Sequence, residues 1–211
     1  MSNIQQAYNS WSEQYDTNEN KTRDLEAIAI RNALEGKSFK NCLEIGCGTG
    51  KNTLWLKSIA KQVLAIDLSE KMLNKAKEKI TDNQVKFIQA DITHNWYFAA
   101  TEKFDLATFS LMLEHIENLE PIFQQLSLVM ESGATVYIGE LHPFKQYNGS
   151  KARFDTEEGT QVVTCFNHHI SDFVTAAKKY HFQLTDINEY FDEDDSSSMP
   201  RILQLLFCYN P

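Results

Sequence analysis

The sequence predicts an α/β protein with a doubly wound, largely parallel sheet, and three observations support this prediction. At residues 41–51 an apolar, strand-like run ends in glycines at alternate positions, and a helical pattern follows. From residue 41 onward, strand-like and helix-like segments alternate, as parallel sheets with crossover helices require. The chain has 211 residues, of which 42% are hydrophobic and 23% charged, so one domain with a substantial core is expected.

Predicted strands and helices alternate along most of the chain. Seven segments have strand character, at residues 41–45, 62–67, 85–89, 104–110, 135–140, 182–190 and 202–208. Helical patterns separate them, at residues 52–58, 70–79, about 119–130 and 170–180. Residues 4–34 are predicted to be helical with an interruption at 16–20, and the second half has one apolar face, formed by Leu25, Ile28, Ala29, Ala33 and Leu34. The charged serine run at 192–198 is predicted to be an exposed, mobile loop.

The glycine-rich turn between the first strand and its helix predicts a ligand site. Gly46, Gly48 and Gly50 have no Cβ, so the backbone can turn sharply and a ligand can approach it closely. The following helix directs its N–H groups and the positive end of its dipole into the same space. In a parallel sheet this turn lies at the carboxyl edge, which is where nucleotide-type cofactors bind.

The spacing of these glycines distinguishes between cofactors. The dinucleotide motif G-x-G-x-x-G would place its third glycine at Lys51, whereas here it comes one position earlier. The run Glu44-Ile45-Gly46-Cys47-Gly48-Thr49-Gly50 resembles the E/D-x-G-x-G-x-G signature of class I S-adenosylmethionine-dependent methyltransferases. A carboxylate next to the turn suits a sulfonium and an ammonium group better than it suits phosphates.

This resemblance has implications for fold and cofactor. It implies a Rossmann-like, doubly wound, seven-stranded sheet, mostly parallel with an antiparallel edge strand and with helices on both faces. The closing pair of strands resembles the antiparallel edge hairpin of that sheet. The implied cofactor is S-adenosyl-L-methionine. A glycine turn that binds no ligand is the alternative interpretation.

Acidic residues follow the next two strands and extend the predicted cofactor site. Asp67 ends the second strand, where a carboxylate can accept both ribose hydroxyls; capping the next helix is the alternative, but Ser69 is better placed for it. Asp91 matches the family position whose carboxylate meets the adenine amino group, and a turn-forming role is its alternative. The residues expected to contact the cofactor are Tyr15, Glu44, Gly46, Cys47, Gly48, Asp67, Leu68, Met72, Asp91, Ile92 and Ser110.

Residues 141–169 are predicted to cover the substrate. This long connection leaves the carboxyl end of the fifth strand, where ligands bind in such sheets. Histidine is the natural general base near neutral pH, so His168 or His169, and after them His142, are the expected catalytic residues, although a His-His pair is often a surface feature. An arginine would suit an acceptor that carries a carboxylate. Expected substrate contacts are Tyr8, Trp11, Tyr147 and Arg153.

The segment Leu113-Glu114-His115 resembles a metal-binding segment of ubiquinone-biosynthesis O-methyltransferases and of small-RNA end methyltransferases. There, two glutamates and a histidine hold a divalent metal. Leu111 stands where the second glutamate would be, so no metal is predicted. Glu114 and His115 are expected to make local hydrogen bonds near the cleft.

The predicted function is transfer of a methyl group to an oxygen or nitrogen atom of a small molecule. The alternatives are a non-catalytic, S-adenosylmethionine-binding regulatory protein, a methyltransferase that modifies a protein side chain, and a nucleotide-dependent oxidoreductase, which Lys51 disfavours. The formal charge of −9 argues against a nucleic-acid partner.

The sequence also predicts where the protein is located and how its domain is organised. The polar N-terminus, the lack of a long apolar run and four cysteines without a C-x-x-C pair indicate a cytoplasmic protein with no membrane partner, as a monomer or homodimer. We expect a single methyltransferase domain with four parts: an N-terminal helical lid (1–36), a cofactor-binding core (41–140), a substrate-cover insertion (141–169), and a closing helix with a strand hairpin (170–211).

Overall fold

Seven strands form the central sheet in a computed structural model that describes residues 3–156 and 159–211. The strands are β1 (Phe39–Ile45), β2 (Ala60–Asp67), β3 (Val85–Gln89), β4 (Phe104–Ser110), β5 (Met130–Leu141), β8 (Phe182–Tyr190) and β9 (Ile202–Tyr209). A separate hairpin pairs β6 (Arg153–Thr156) with β7 (Gly159–Val162). The helices are α1 (Asn3–Trp11), α2 (Lys21–Ala33), α3 (Thr53–Ile59), α4 (Glu70–Lys79), α5 (Glu120–Val129), α6 (Pro143–Tyr147) and α7 (Ile170–Lys179). Among the described residues, no helix is both long enough and apolar enough to cross a membrane.

The strand order is β3-β2-β1-β4-β5-β9-β8, which confirms the doubly wound α/β class. The pairs β1–β2, β1–β4, β2–β3 and β4–β5 are parallel. β9 is antiparallel to both of its neighbours. The predicted closing hairpin is therefore present at the edge of the sheet, but its antiparallel member is the inner strand β9, and the edge strand is β8.

Both faces of the sheet are buried, as expected for parallel strands. In β1, Leu43 and Ile45 belong to the apolar layer that α5 and α7 cover, whereas Cys42 belongs to the layer that α2 and α3 cover. This alternation follows from the two-residue period of a strand. It places helices on both faces of the sheet.

Most predicted element boundaries agree with the structure, and the exceptions have local causes. β5 begins at Met130 rather than at 135, because Met130 pairs with Phe104 before an irregularity that includes Gly133 at φ +80°. The apolar face predicted for α2 was wrong in part: Ile28 is 52% exposed, whereas Glu26 is buried. The loop at 192–198 is not exposed throughout, because Asp192 is partly buried and accepts a hydrogen bond from Arg201 Nη2 at 2.6 Å.

The N-terminal segment lies over the carboxyl edge of the sheet. Gln5 Nε2 donates to the Leu68 carbonyl at 3.1 Å, and Ser69 Oγ donates to Asn9 Oδ1 at 2.7 Å. Trp11 stacks on Phe154 of β6 with a centroid distance of 5.1 Å. Helix α1 and the β6–β7 hairpin therefore pack together above the ends of β1, β2 and β4.

Candidate functional site

A cavity of about 260 Å³ opens at the carboxyl ends of β1, β2 and β4, beneath α1. The turn after β1 forms part of its wall, with Gly46 at φ +76° and Gly48 at φ +53°. A Cβ on Gly46 would lie 2.8 Å from Cβ of Met112, so glycine is required there by space as well as by conformation. A Cβ on Gly48 would meet no atom within 4 Å, so the backbone at Gly48 borders open space.

Asp67 lines the cavity at the end of β2. Its Oδ2 accepts a hydrogen bond from the Gly48 amide at 2.8 Å, and its Oδ1 accepts one from the Ser69 amide at 2.7 Å. Burial raises the pKa of Asp67, and the two backbone donors oppose that shift. The helix-capping alternative is taken by Ser69, whose Oγ accepts from the Met72 amide at 3.2 Å.

Asp91 and three apolar side chains form the far wall. The Oδ1 of Asp91 accepts hydrogen bonds from the amide of Thr93 at 2.9 Å and from its hydroxyl at 2.6 Å. Asp91 therefore has the turn-forming role that was the alternative prediction, and it also lines the cavity. Leu68, Met72 and Ile92 line the same wall, which is suited to the flat faces of an aromatic ring.

A smaller cavity of about 40 Å³ lies on the other side of the glycine turn and contains two buried carboxyl groups. Glu44 accepts a hydrogen bond from Thr53 Oγ1 at 2.5 Å, and burial raises the pKa of Glu44 to about 8. Glu26 accepts hydrogen bonds from Asn52 Nδ2 at 2.9 Å and from the Tyr137 hydroxyl at 3.1 Å. Glu26 was not among the predicted site residues. The signal available in the sequence was that Glu26 lies four residues before Ile30, so the two share one face of a helix, and both are buried.

Tyr8 and His115 meet on the wall of the larger cavity. The Tyr8 hydroxyl lies 2.7 Å from His115 Nε2, and His115 Nδ1 lies 2.7 Å from the Thr164 carbonyl. Because a carbonyl oxygen only accepts, Nδ1 carries the proton and Nε2 accepts from Tyr8. Glu114 Oε1 lies 4.0 Å from the same Nε2. Burial, reinforced by the neighbouring Tyr15, raises the pKa of Tyr8 well above its ordinary value.

Comparison with known proteins identifies the family of this chain. A family model described as a methyltransferase domain matches residues 43–138. An uncharacterized methyltransferase of Schizosaccharomyces pombe is 30% identical over 122 residues, which cover 56% of this chain and 81% of that protein. The chain belongs to the class I S-adenosylmethionine-dependent methyltransferases.

Further similarities are consistent with this family. A putative methyltransferase of Invertebrate iridescent virus 6 is 32% identical over 127 residues, covering 58% of this chain and 46% of the viral protein. The chain thus spans about half the length of this and other curated relatives that it matches. The crystal structure of the N-methyltransferase NodS from Bradyrhizobium japonicum, in complex with S-adenosyl-L-homocysteine, has the same fold, with a TM-score of 0.71 at 16% identity and full coverage of both chains.

The residues at the carboxyl edge of this methyltransferase fit S-adenosylmethionine, the cofactor of its family. Gly48 borders open space, Asp67 offers a half-buried carboxylate to hydroxyl groups, and the apolar wall suits a purine. Two buried acids, Glu26 and Glu44, suit an ammonium group. The larger cavity brings together nine of the predicted cofactor residues: Tyr15, Gly46, Gly48, Asp67, Leu68, Met72, Asp91, Ile92 and Ser110. The other two, Glu44 and Cys47, line the smaller cavity.

The three histidines predicted as catalytic lie elsewhere in the methyltransferase, and each has a structural contact. His142 is 0% exposed, lies 2.9 Å from Glu189 Oε1 through Nε2, and caps α6. The buried His168 lies 2.8 Å from the Ile116 carbonyl through its Nε2. His169 caps α7 and meets the Tyr147 hydroxyl at 2.6 Å. None of these three histidines lines the cavity beneath α1, whereas His115 does, and a catalytic role for any of the three stays a prediction.

The predicted substrate residues separate into two groups. Tyr8 lines the cofactor cavity, and Trp11 and Arg153 line a neighbouring cavity that also includes Tyr8. Tyr147 is exposed on α6, contacts Phe144 and His169, and lines neither of these two cavities, so its contact with substrate stays a prediction.

Glu114, His115 and Cys165 are close enough to share an ion, since their potential ligand atoms lie within 4.8 Å of one another. Both ring nitrogens of His115 have partners, because Nδ1 meets the Thr164 carbonyl and Nε2 meets the Tyr8 hydroxyl. Burial raises the pKa of the Cys165 thiol to about 12. Contacts within the protein therefore hold His115 in place.

Proposed function

We propose that this methyltransferase moves a methyl group from S-adenosylmethionine to an oxygen or nitrogen atom of a small molecule. The observation that carries the proposal is that the Tyr8–His115 pair lines the same cavity as the glycine turn and Asp67. A methyl-donor site and a proton acceptor thus face one cavity. NodS, which has the same fold, is an N-methyltransferase, and this likeness supports a nitrogen atom as an acceptor.

When bound, the cofactor supplies a methyl group on a positively charged sulfur. A nucleophile can attack the methyl carbon directly, with the sulfur as the leaving group. The turn at Gly46 and Gly48, together with Asp67, would hold the nucleoside. The carboxyl groups of Glu26 and Glu44 would hold the ammonium group of the methionine end. Such positioning can contribute on the order of 7 to 11 kcal/mol to lowering the barrier.

Tyr8 and His115 would remove the proton of the acceptor. As the acceptor oxygen or nitrogen forms its bond to the methyl carbon, its O–H or N–H proton passes to the Tyr8 oxygen, and the Tyr8 proton passes to His115 Nε2. The raised pKa of Tyr8 keeps its hydroxyl protonated before the reaction, so Tyr8 relays a proton and His115 receives it. Glu114, at 4.0 Å, would stabilise the resulting imidazolium.

Calorimetry with S-adenosylmethionine and S-adenosylhomocysteine tests the cofactor assignment. Both compounds should bind the wild-type protein, and Asp67→Asn should weaken binding by about tenfold or more, because a charge-assisted hydrogen bond to a hydroxyl group is lost. Asp82→Asn is the matched control, since Asp82 pairs with Lys57 on the surface. Equal affinity in the Asp67 variant would contradict the assignment.

A labelled methyl donor then tests the acceptor class. Incubation with a metabolite extract should place the label in the small-molecule fraction. Label in the protein fraction alone would indicate a protein side chain as the acceptor. Tight cofactor binding without transfer to either fraction would support the regulatory alternative.

A further inference from the structure

A second cavity, of about 340 Å³, adjoins the cofactor cavity. The two share Tyr8, Tyr15 and Leu111 in their walls. The second cavity is bounded by the start of α2, by residues 150–153 and by Arg201. A molecule in it would lie against Tyr8, the residue that we propose takes the acceptor proton.

The charge of this second cavity is opposite to that of the whole chain. The chain carries 20 Lys and Arg against 29 Asp and Glu, yet the cavity is lined by five of those cations and only two of the acids. One of the acids is Glu114, whose pKa is raised by burial, and the other is Glu19. The five cations are Lys21, Arg23, Lys151, Arg153 and Arg201.

Three of these five cations are not neutralised by a carboxylate. Arg201 pairs with Asp192, and Lys21 lies 4.0 Å from Glu193. Arg23 donates to the backbone carbonyls of Tyr15 and Asn18 and forms no ion pair with a carboxylate among the described residues. Lys151 and Arg153 have no carboxylate partner among the side chains that the structure describes.

The remaining wall is apolar. Trp11 is buried and stacks on Tyr8 at 5.7 Å between ring centroids, and Leu141 completes this side. The cavity thus combines an aromatic surface with guanidinium and ammonium groups, which bind carboxylate and phosphonate oxygens through charge-assisted hydrogen bonds.

We infer that the methyl acceptor is an anionic small molecule whose carboxylate, phosphonate or phosphate group binds Lys151 and Arg153 in this second cavity. The inference rests on the proposed methyl transfer. The anionic group would hold the acceptor in the second cavity, so that its O–H or N–H group reaches Tyr8 at the shared wall.

The test measures how three probes bind to the full chain saturated with S-adenosylhomocysteine. All three have the same phenyl ring: benzoate and phenylphosphonate are anions, and benzamide is neutral. Ligand-observed NMR titration at low salt gives the dissociation constants. At least one anion should bind about tenfold more tightly than benzamide, and the better of the two identifies the anionic group. The variant Lys151→Gln/Arg153→Gln should lose about that tenfold advantage.

The control variant is Lys61→Gln/Lys86→Gln, which removes the same two charges from exposed positions on β2 and β3. This control should still bind the anionic probe about tenfold more tightly than benzamide. Equal binding of benzamide, no binding of either anion, or equal loss in the control would overturn the inference while S-adenosylhomocysteine still binds. Failure of S-adenosylhomocysteine itself to bind would overturn the proposed function and this inference with it.

Discussion

The carboxylate of Asp67 accepts a hydrogen bond from the backbone amide of Gly48 at 2.8 Å. This contact joins the end of β2 to the middle of the glycine turn. The other oxygen of Asp67 accepts from the Ser69 amide, which connects the same acid to the start of α4. The protein's own hydrogen bonds therefore hold acid, turn and helix in one arrangement, and the parts of the site can be tested separately.

Replacing Gly46 by alanine should lower the free energy of unfolding by about 2 to 4 kcal/mol. An alanine at φ +76° is strained, and its Cβ would also lie 2.8 Å from Met112 Cβ. Gly133→Ala is the control, because Gly133 has φ +80° but a Cβ there meets nothing within 4 Å; its cost should be about 1 to 2 kcal/mol. Urea unfolding of both variants gives the comparison. Equal losses would show that the close approach to Met112 adds nothing.

Tyr8→Phe and His115→Gln should each slow methyl transfer by about a hundred- to ten-thousandfold, because each removes one member of the proton relay. The affinity for S-adenosylhomocysteine should change little. Tyr97→Phe, at an exposed tyrosine, is the control for a lost hydroxyl group.

The solvent isotope effect separates this catalytic role from a structural one. In the wild type, methyl transfer should be slower in D2O than in H2O, because protons move as the new bond forms. His115→Gln should lose this difference. A variant that keeps the wild-type isotope effect at a reduced rate would point to a merely structural role for the histidine.

Alanine variants of His168 and His169 should differ in the free energy of unfolding but have similar rates of methyl transfer. His168→Ala removes a buried ring that contacts the Ile116 carbonyl and lies edge-on to Phe173, so unfolding should become easier by about 1 to 3 kcal/mol. His169→Ala, at an exposed position, keeps the backbone amide that donates to Asp172 Oδ2, so both stability and methyl transfer should stay close to wild type. Thermal unfolding and kcat on the two variants check this. A large loss of kcat in either variant, with the fold intact, would restore the base predicted from sequence.

Glu140 should make the protein less stable as the pH rises from about 5 to 8. Its Oε1 accepts from the Met112 and Leu113 amides, and burial raises its pKa to about 8, from an ordinary value of 4.5. Between these two pKa values the folded state holds a proton that the unfolded state has lost, so the free energy of unfolding falls by up to about 1.4 kcal/mol per pH unit. The buried Glu44 acts in the same direction.

The variant Glu140→Gln isolates this contribution. Glutamine keeps an oxygen for the two amides and cannot ionise, so the variant should gain stability relative to wild type as the pH rises to 8. Denaturant unfolding at a series of pH values measures the difference, with the exposed Glu102→Gln as control. A constant difference across this pH range would show that Glu140 does not titrate as proposed.

Local patterns sufficed for the elements and for the cofactor end of the site. The turn at Gly46 and Gly48, and the acids Asp67 and Asp91, lie directly after strands whose periodicity is readable in the chain. Since the carboxyl ends of parallel strands meet at one edge, these residues had to converge once the sheet class was known. The expected cofactor cavity followed from short-range information.

The acceptor side could not be predicted in this way. Tyr8 and His115 are 107 residues apart, and their contact depends on how α1 docks over the sheet. His168 belongs to the long connection that was expected to cover the substrate, yet its Nε2 contacts the Ile116 carbonyl and the residue does not line the cavity. No spacing in the sequence distinguishes these two placements.

The sequence by itself determined the sheet class, the glycine turn and the family, because each depends on residues within one strand–turn–helix unit. Only the tertiary structure decided that β9 lies between β5 and β8 and that His115 lines the cavity beneath α1. It also brought cations from residues 21–23, 151–153 and 201 to one cavity. The physical reason is that side chains far apart in the chain meet only through packing between elements. That packing depends on the whole set of buried surfaces, and no local periodicity encodes it.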